Sequence, residues 1–350
     1  MVASEAVAAF APGRVNIIGD HTDTTGGWCL PIAIQRGVRV AGRREPASRH
    51  VHLRSDRETD AADVALDVSD PEVVEPSWAR YVAGVVSVLR PRSGFRGTVS
   101  STLPVGVGLS SSAALEVAVA LALGAVLDDP VALARQCQAA EHAARGVPTG
   151  ILDQISSICG RAGHALLLDC HHATVTPVAL PPDDEVELVV VLPSTNRDLG
   201  ASAYAERVAE LRRAEQVIGP LRQATIAEVD RIGDPAVRAR ARHVVSENRR
   251  VHEFVEAVSA GDVHEAGRLM SASHSSLSRD FESSLPSIDA ACRDLTELHG
   301  VLGARITGGG WGGALIALTR PGVLVERPGT WVVTPSNGAT RQPLPQAAPG

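Results

Sequence analysis

The first chemical signal lies in a glycine–serine stretch and two acids downstream of it. In Leu103-Pro-Val-Gly-Val-Gly-Leu-Ser-Ser-Ser-Ala-Ala-Leu-Glu116 a strand ends, two glycines allow close backbone approach, and three serines open a long helix. A helix start exposes unpaired N–H groups and the positive end of the helix dipole, which suits phosphate. The hydroxyls of Ser110, Ser111 and Ser112 can add phosphate contacts or a Mg2+ ligand. An ordinary turn before a serine-capped helix also accounts for these residues. The combination of Pro104, Gly106, Gly108, Leu109 and the serine triplet favours phosphate. Further on, Glu141-His-Ala-Ala-Arg-Gly-Val-Pro-Thr-Gly-Ile-Leu-Asp-Gln154 sets Glu141 on one helix and Asp153 at the start of the next. Acids so placed can divide labour, one on a metal and one on a reacting hydroxyl. Solvated helix-end acids fit the same pattern.

Two other segments are polar or glycine-rich enough to matter. Between Ala11 and Trp28 the groups Arg14, Asp20, His21 and Asp23 fall within ten residues. Such a cluster is costly to bury unless a ligand satisfies it, and otherwise forms a solvated loop. Thr307-Gly-Gly-Gly-Trp-Gly-Gly-Ala-Leu-Ile-Ala317 places five glycines in six positions. They allow backbone to pack against a ligand or a strand, or form a tight hairpin. Asp169-Cys-His-His172 lacks metal-ligand partners at useful spacing and reads as a strand end with exposed histidines. His243, His252, His264 and His274 read as surface or packing residues.

Composition removes several alternatives. The chain has 350 residues and a formal net charge of −7, with 33 basic residues that are all arginine. Without lysine there is no Walker P-loop, no protein-kinase phosphate lysine and no Schiff-base chemistry. A mildly acidic chain without a basic block is not expected to bind nucleic acid. Five widely spaced cysteines without a C-x-x-C pair argue against a disulfide framework, and no export signal or membrane span is read. A cytoplasmic protein is expected.

Taken in order, PGRVNIIGDHTD, LPVGVGLSSSAALE, GVPTGILDQ and TGGGWGGALIAL resemble the galactokinases of the GHMP kinase superfamily, from Ala11 to about Leu318. Trp78-x-x-Tyr81-x-x-Gly84-Val85, Ser202-Ala-Tyr204 and Ser271-Ala-Ser-His-Ser-Ser-Leu277 add weaker matches. The resemblance implies phosphorylation of a sugar at its anomeric hydroxyl, with ATP and Mg2+ as cofactors. It implies that Asp153 is the catalytic Asp, orienting the sugar hydroxyl and accepting its proton, with Arg14 its partner, and that Gly106, Gly108 and Ser110–Ser112 hold the ATP phosphates. Glu141 with Ser111 or Ser112 would hold the metal. Asp20, His21, Asp23, Gly150 and Tyr204 match sugar-side positions. The family usually has Glu where this chain has Asp20, Tyr-Asn where it has Thr24-Thr25, and Phe where it has Trp311. The first two leave open a non-galactose hexose or a carbasugar, including an already phosphorylated one. A sugar and ATP sensor without catalysis is the rival of another class, although Arg14 and Asp153 are intact. No macromolecular partner is implied, and a monomer is expected.

The elements that must position these residues follow from pattern. Residues 7–10, 29–40, 51–54, 97–101, 165–169 and 188–192 read as strands, and 301–318 as strand–loop–strand. Residues 78–89, 110–127, 130–144, 201–218, 235–260, 262–277 and 286–299 read as helices. Helix 110–127 should bury one face through Leu115, Val119, Ala122 and Val126. The turn at Leu180-Pro-Pro-Asp-Asp-Glu185 marks a boundary. The expected architecture is α+β, with two GHMP-kinase-like domains and the active site in the cleft between them. The N-terminal domain would span 1–182, the C-terminal domain 183–335, and 336–350 would be a flexible tail. The resemblance also implies a final helix–strand unit after Leu318, for which little chain remains.

Overall fold

The computed structural model describes residues 6–104, 106–146, 149–192, 200–325 and 327–344. Val105, Val147, Pro148 and the side chain of Ser202, which belong to the matched motifs, lie outside these, as do residues 345–350 of the expected tail. The chain opens with β1 (Ala6–Asn16), β2 (Trp28–Cys29), β3 (Pro31–Glu45), β4 (His50–Ser55) and β5 (Ala62–Ala65). Next come α1 (Ala79–Leu89), β6 (Gly94–Ser101), α2 (Ser111–Leu123), α3 (Pro130–Arg145), α4 (Leu152–Cys159), β7 (His164–Asp169) and β8 (Thr174–Ala179). The second half contains β9 (Glu187–Val191), α5 (Gly200–Ile218), α6 (Ile226–Val229), α7 (Pro235–Ser259), α8 (Val263–Arg279) and α9 (Pro286–Thr296). It closes with β10 (Val301–Ile306), β11 (Leu315–Thr319), β12 (Thr330–Val333) and β13 (Thr340–Pro343).

Three sheets organise the molecule. The largest runs β13-β1-β3-β6-β4-β5, antiparallel except for the β4–β6 pair. A small sheet β2-β7-β8 lies beside it, and an antiparallel sheet β10-β11-β9-β12 forms the second half. Strand partners change between β8 and β9, on either side of the double-proline turn. The expected α+β layering follows: α2 and α4 pack on β1 and β3, while α8 and α9 pack on β10.

Local chemistry explains most element boundaries. Asp129 caps α3 by accepting from the Ala132 N–H at 2.9 Å, Pro130 occupies the first turn, and Gly146 ends the helix in the left-handed region. Asp234 and Asp262 cap α7 and α8 in the same way. Helix α2 departs from expectation. It stops at Leu123 because Gly124 turns left-handed at φ 106°, so Val126 lies beyond it and is 61% exposed. Nor does α2 bury one face: every residue from Ala113 to Ala122 is buried, Glu116 among them, as befits a helix apolar on nearly all sides between a sheet and other helices.

The expected flexible tail is corrected as well. Ser336 donates to Ala33 O at 2.9 Å, Gly338 to Gly160 O and Ala339 to Ser157 O at 2.8 Å. β13 then pairs with β1, placing Val7 opposite Pro343 and Phe10 opposite Thr340. An edge strand needs only backbone hydrogen bonds, so its polar composition is no obstacle. Among the described residues no helix follows β11. β12 pairs with β9 instead.

Candidate active site

Arg14 owes its place to a break in β1. The β1–β3 register shifts between Pro12 and Arg14, and a Cβ on Gly13 would come within 2.7 Å of Leu109 O. Glycine therefore lets β1 pass against the Gly-Ser loop, with Arg14 N donating to Leu109 O at 3.2 Å. The Arg14 side chain then reaches Gly108 O through Nη1 at 2.6 Å and Asp153 Oδ1 through Nε at 2.8 Å and Nη2 at 2.7 Å. Asp153 stands in the first turn of α4, and its other oxygen accepts from Ser110 Oγ at 2.6 Å. Ser110 is a non-glycine residue at φ 58°, a backbone state that costs of order 1 kcal/mol and collects at functional sites.

The Gly-Ser loop opens onto space. Gly106 and Gly108 have φ near 74° and 82°, and a Cβ on Gly106 would meet nothing within 4 Å. Helix α2 begins at Ser111 with its first N–H groups beside that opening. Ser112 Oγ donates to Glu141 Oε1 at 3.1 Å, and Gln154 Nε2 donates to Oε2 at 2.8 Å. Thr149 Oγ1 at 3.3 Å and Arg145 Nη1 at 3.4 Å complete the surroundings of this buried carboxylate. Glu116, fully buried on α2, lies beside them. Burial first, and the Glu141 charge second, hold its carboxyl well above the usual range.

At the other end of the site, Asp20 forms a buried ion pair with Arg305, whose Nη1 also donates to Ile17 O at 2.8 Å. Burial pushes Asp20 up while Arg305 opposes the shift. His21 adopts φ 64° and stacks on Phe281 at 4.2 Å, with Tyr204 and Trp311 at 6.0 and 6.2 Å. Burial, then the neighbouring His243, lowers its pKa to about 3, so the ring is neutral at physiological pH. Asp23 is raised to about 7 by burial and by the charges of Asp153 and Asp20. Gly150 is required beside it, since a Cβ there would sit 1.7 Å from Asp23 Oδ2. Burial likewise keeps the Tyr204 phenol protonated.

All the residues expected at the site line one cleft of about 620 Å³, running from Gly106–Ser112 past Asp153 to Asp20, His21, Asp23 and Tyr204. The third glycine segment is no isolated hairpin. Ala314 N donates to Val107 O at 3.0 Å, and Thr307 Oγ1 donates to Asn16 O at 2.9 Å, so it packs against both other loops. The Asp169 carboxylate accepts from both Arg222 Nη1 and Nη2, away from the cleft lining. Among the described residues no group of three His, Cys, Asp or Glu could by itself hold a metal. Sequence reasoning missed Arg305, whose signal was a lone charge inside the apolar strand β10, and Gln154, which sits next to Asp153.

A model of the galactokinase galactose-binding signature matches residues 2–44, and models of the GHMP kinase N-terminal and C-terminal domains match 80–161 and 254–327. The galactokinase of Mycobacterium bovis is 40% identical over 322 residues, covering 88% of this chain and 87% of that protein. This chain belongs to the galactokinase family. The dog galactokinase is 36% identical over 331 residues, covering 89% of this chain and 83% of its own. Among solved structures, the galactokinase of Lactococcus lactis complexed with galactose superposes at a TM-score of 0.86 and 32% identity, over 97% of this chain and 95% of that one. The mevalonate kinase of Methanococcus jannaschii shares the fold at a TM-score of 0.66 and 17% identity, over 96% of this chain and 100% of its own. The matched models fall in both halves of the chain and take in Arg14, the loop of Asp20 to Asp23, the Gly-Ser loop, Glu141 and Asp153. Among the described residues no helix is long and apolar enough to cross a membrane.

Proposed function

We propose that this chain transfers the γ-phosphoryl group of ATP to the anomeric hydroxyl of galactose. The observation that carries the reading is the convergence of Arg14 and Ser110 on the two oxygens of Asp153, in a cleft that also holds the Gly-Ser loop. Phosphoryl transfer depends on positioning and charge neutralisation. Asp153 orients the sugar hydroxyl and takes its proton as the oxygen bonds to phosphorus and the bond to the ADP oxygen breaks. Arg14 holds the Asp153 carboxyl in place through two contacts to Oδ1 and stabilises negative charge on the moving group. The α2 N-terminus and the loop of Gly106 and Gly108 cradle the phosphates.

Glu141 and Ser112 fit a magnesium ion, being a buried carboxylate and a hydroxyl already in contact at the mouth of the phosphate loop. Mg2+ bound there would neutralise phosphate charge. Asp20, His21, Asp23 and Tyr204 hold the sugar. The intact Arg14–Asp153 pair disfavours a non-catalytic sensor. The relatives favour galactose over another hexose or a carbasugar. Five free cysteines fit a reducing cytoplasm, and the enzyme acts as a monomer.

Incubation with ATP, Mg2+ and a sugar panel, with ADP release followed and the product read by phosphorus NMR, tests the reading. Galactose 1-phosphate is expected. ADP release with no sugar of the panel, or phosphate on another carbon, overturns it.

A further inference from the structure

Helix α7 carries a stripe of polar side chains where a packed helix should present apolar ones. Arg240, His243, Glu247 and Asn248 stand at i, i+3, i+7 and i+8 and are all buried. Buried polar groups persist where their hydrogen bonds are made, and here three of the four are made to one loop of the other half of the molecule. Glu247 Oε1 accepts from the Gly19 N–H at 3.0 Å. His243 Nε2, 3.1 Å from Asp20 O, must be the donor, because a carbonyl only accepts. Asn248 Oδ1 accepts from the Trp28 N–H at 2.8 Å. The fourth, Arg240, donates through Nη1 to Asp280 O and through Nη2 to Glu282 Oε2, both at 2.6 Å, and so fixes the turn whose Phe281 stacks on His21.

We infer that this stripe sets the position of the loop 19–28, and that His243, Glu247 and Asn248 are positioning residues for sugar recognition, acting through the backbone on either side of Asp20, His21 and Asp23. The contacts bracket the sugar-side residues and avoid their side chains, which stay free to face the cleft. No stripe residue lines the cleft or touches Asp153, Glu141 or the Gly-Ser loop. Their loss should therefore affect sugar binding and spare the nucleotide side. His243 is suited to the task because burial lowers its pKa to about 4, leaving a neutral donor with no charge to solvate. This inference rests on the proposed sugar kinase activity for its kinetic test, and on the backbone contacts alone for its structural one.

The test uses the full chain, with His243→Gln and His243→Leu, and Asn248→Asp and Asn248→Leu. Gln reaches the Nε2 position with a donor and Asp retains an acceptor, whereas Leu supplies neither. The Leu variants should raise the sugar KM about ten- to a hundredfold while the ATP KM and kcat stay within about twofold, with the Gln and Asp variants falling between. His243→Leu combined with Asp20→Asn should lose less than the product of the two single effects, since His243 acts through Asp20. Equal losses on the sugar and ATP sides, or independent effects in the double variant, would overturn the inference. Hydrogen exchange reads the loop directly. The amide of Trp28 should lose protection in Asn248→Leu and keep it in Asn248→Asp, and unchanged protection in Asn248→Leu overturns the inference even if no sugar is turned over. A wild-type chain that phosphorylates no sugar refutes the proposed function and leaves the exchange result to decide this one. If a Leu variant fails to fold, the Gln and Asp variants carry the same comparison.

Discussion

Arg305 and Asp20 meet as a buried ion pair across the two halves of the molecule, with the guanidinium wholly inaccessible to solvent. Breaking such a pair leaves an uncompensated charge and costs about 3–5 kcal/mol. Arg305→Met should destabilise by that order and by more at pH 8 than at pH 5. Without its partner the Asp20 carboxyl, already pushed up by burial, titrates still higher, so stability is lost as pH rises above the unfolded value of 3.8. Urea unfolding at both pH values checks this, and equal losses would count against it.

Asp153→Asn should lower kcat by about 10²- to 10⁴-fold, the usual contribution of a positioned base. Asn is close in size but takes no proton. The affinity for a non-hydrolysable ATP analogue, measured by calorimetry, should stay near the wild-type value because the role proposed for Asp153 is at the sugar hydroxyl.

If Asp23 holds the sugar as proposed, sugar use should depend on pH. Its carboxyl titrates near 7, raised from 3.8, so the folded state holds the proton across that window and this group's contribution to stability falls as pH rises through it. The ionised form is the better acceptor for sugar hydroxyls, so kcat/KM for the sugar should climb towards a plateau above pH 7. Asp23→Asn should flatten that limb, weaken sugar binding, and raise the melting temperature at pH 8 more than at pH 5.

Glu141→Gln should raise the Mg2+ concentration for half-maximal activity, since a neutral amide is a poorer ligand for a hard cation. Gln keeps one acceptor oxygen, but its NH2 faces side chains that donate to Glu141, so the melting temperature should fall as well. A Mg2+ titration in the two proteins decides it, and superimposable curves would remove Glu141 from the metal site.

The cleft was legible in sequence because its loops depend on residue identity. Gly13, Gly106, Gly108 and Gly150 stand where a Cβ would collide or the backbone turns left-handed, and Arg14 and Asp153 are the charges that such loops bring together. The α7 stripe was not legible. Periodicity assigns polar helical positions to solvent, and only the fold shows that His243, Glu247 and Asn248 face another backbone. The end of α2 was misread because the apolar run continues through Ala125, Val126 and Leu127 after Gly124 has ended the helix. β13 escaped because its stability comes from main-chain pairing with β1, which side-chain pattern does not record.

That last strand has a practical consequence. Residues 336–343 are hydrogen-bonded to the far end of α4, which carries Asp153, and then to β1, which carries Arg14. One strip of backbone thus buttresses both members of the central pair from outside the cleft. It also covers an open row of N–H and C=O groups along β1 that would otherwise recruit a foreign strand. A chain cut after Pro335 would keep every cleft residue yet expose a sticky sheet edge, so loss of solubility would precede any chemical defect. An affinity tag is therefore better placed beyond residue 344 on a spacer than joined within this strip.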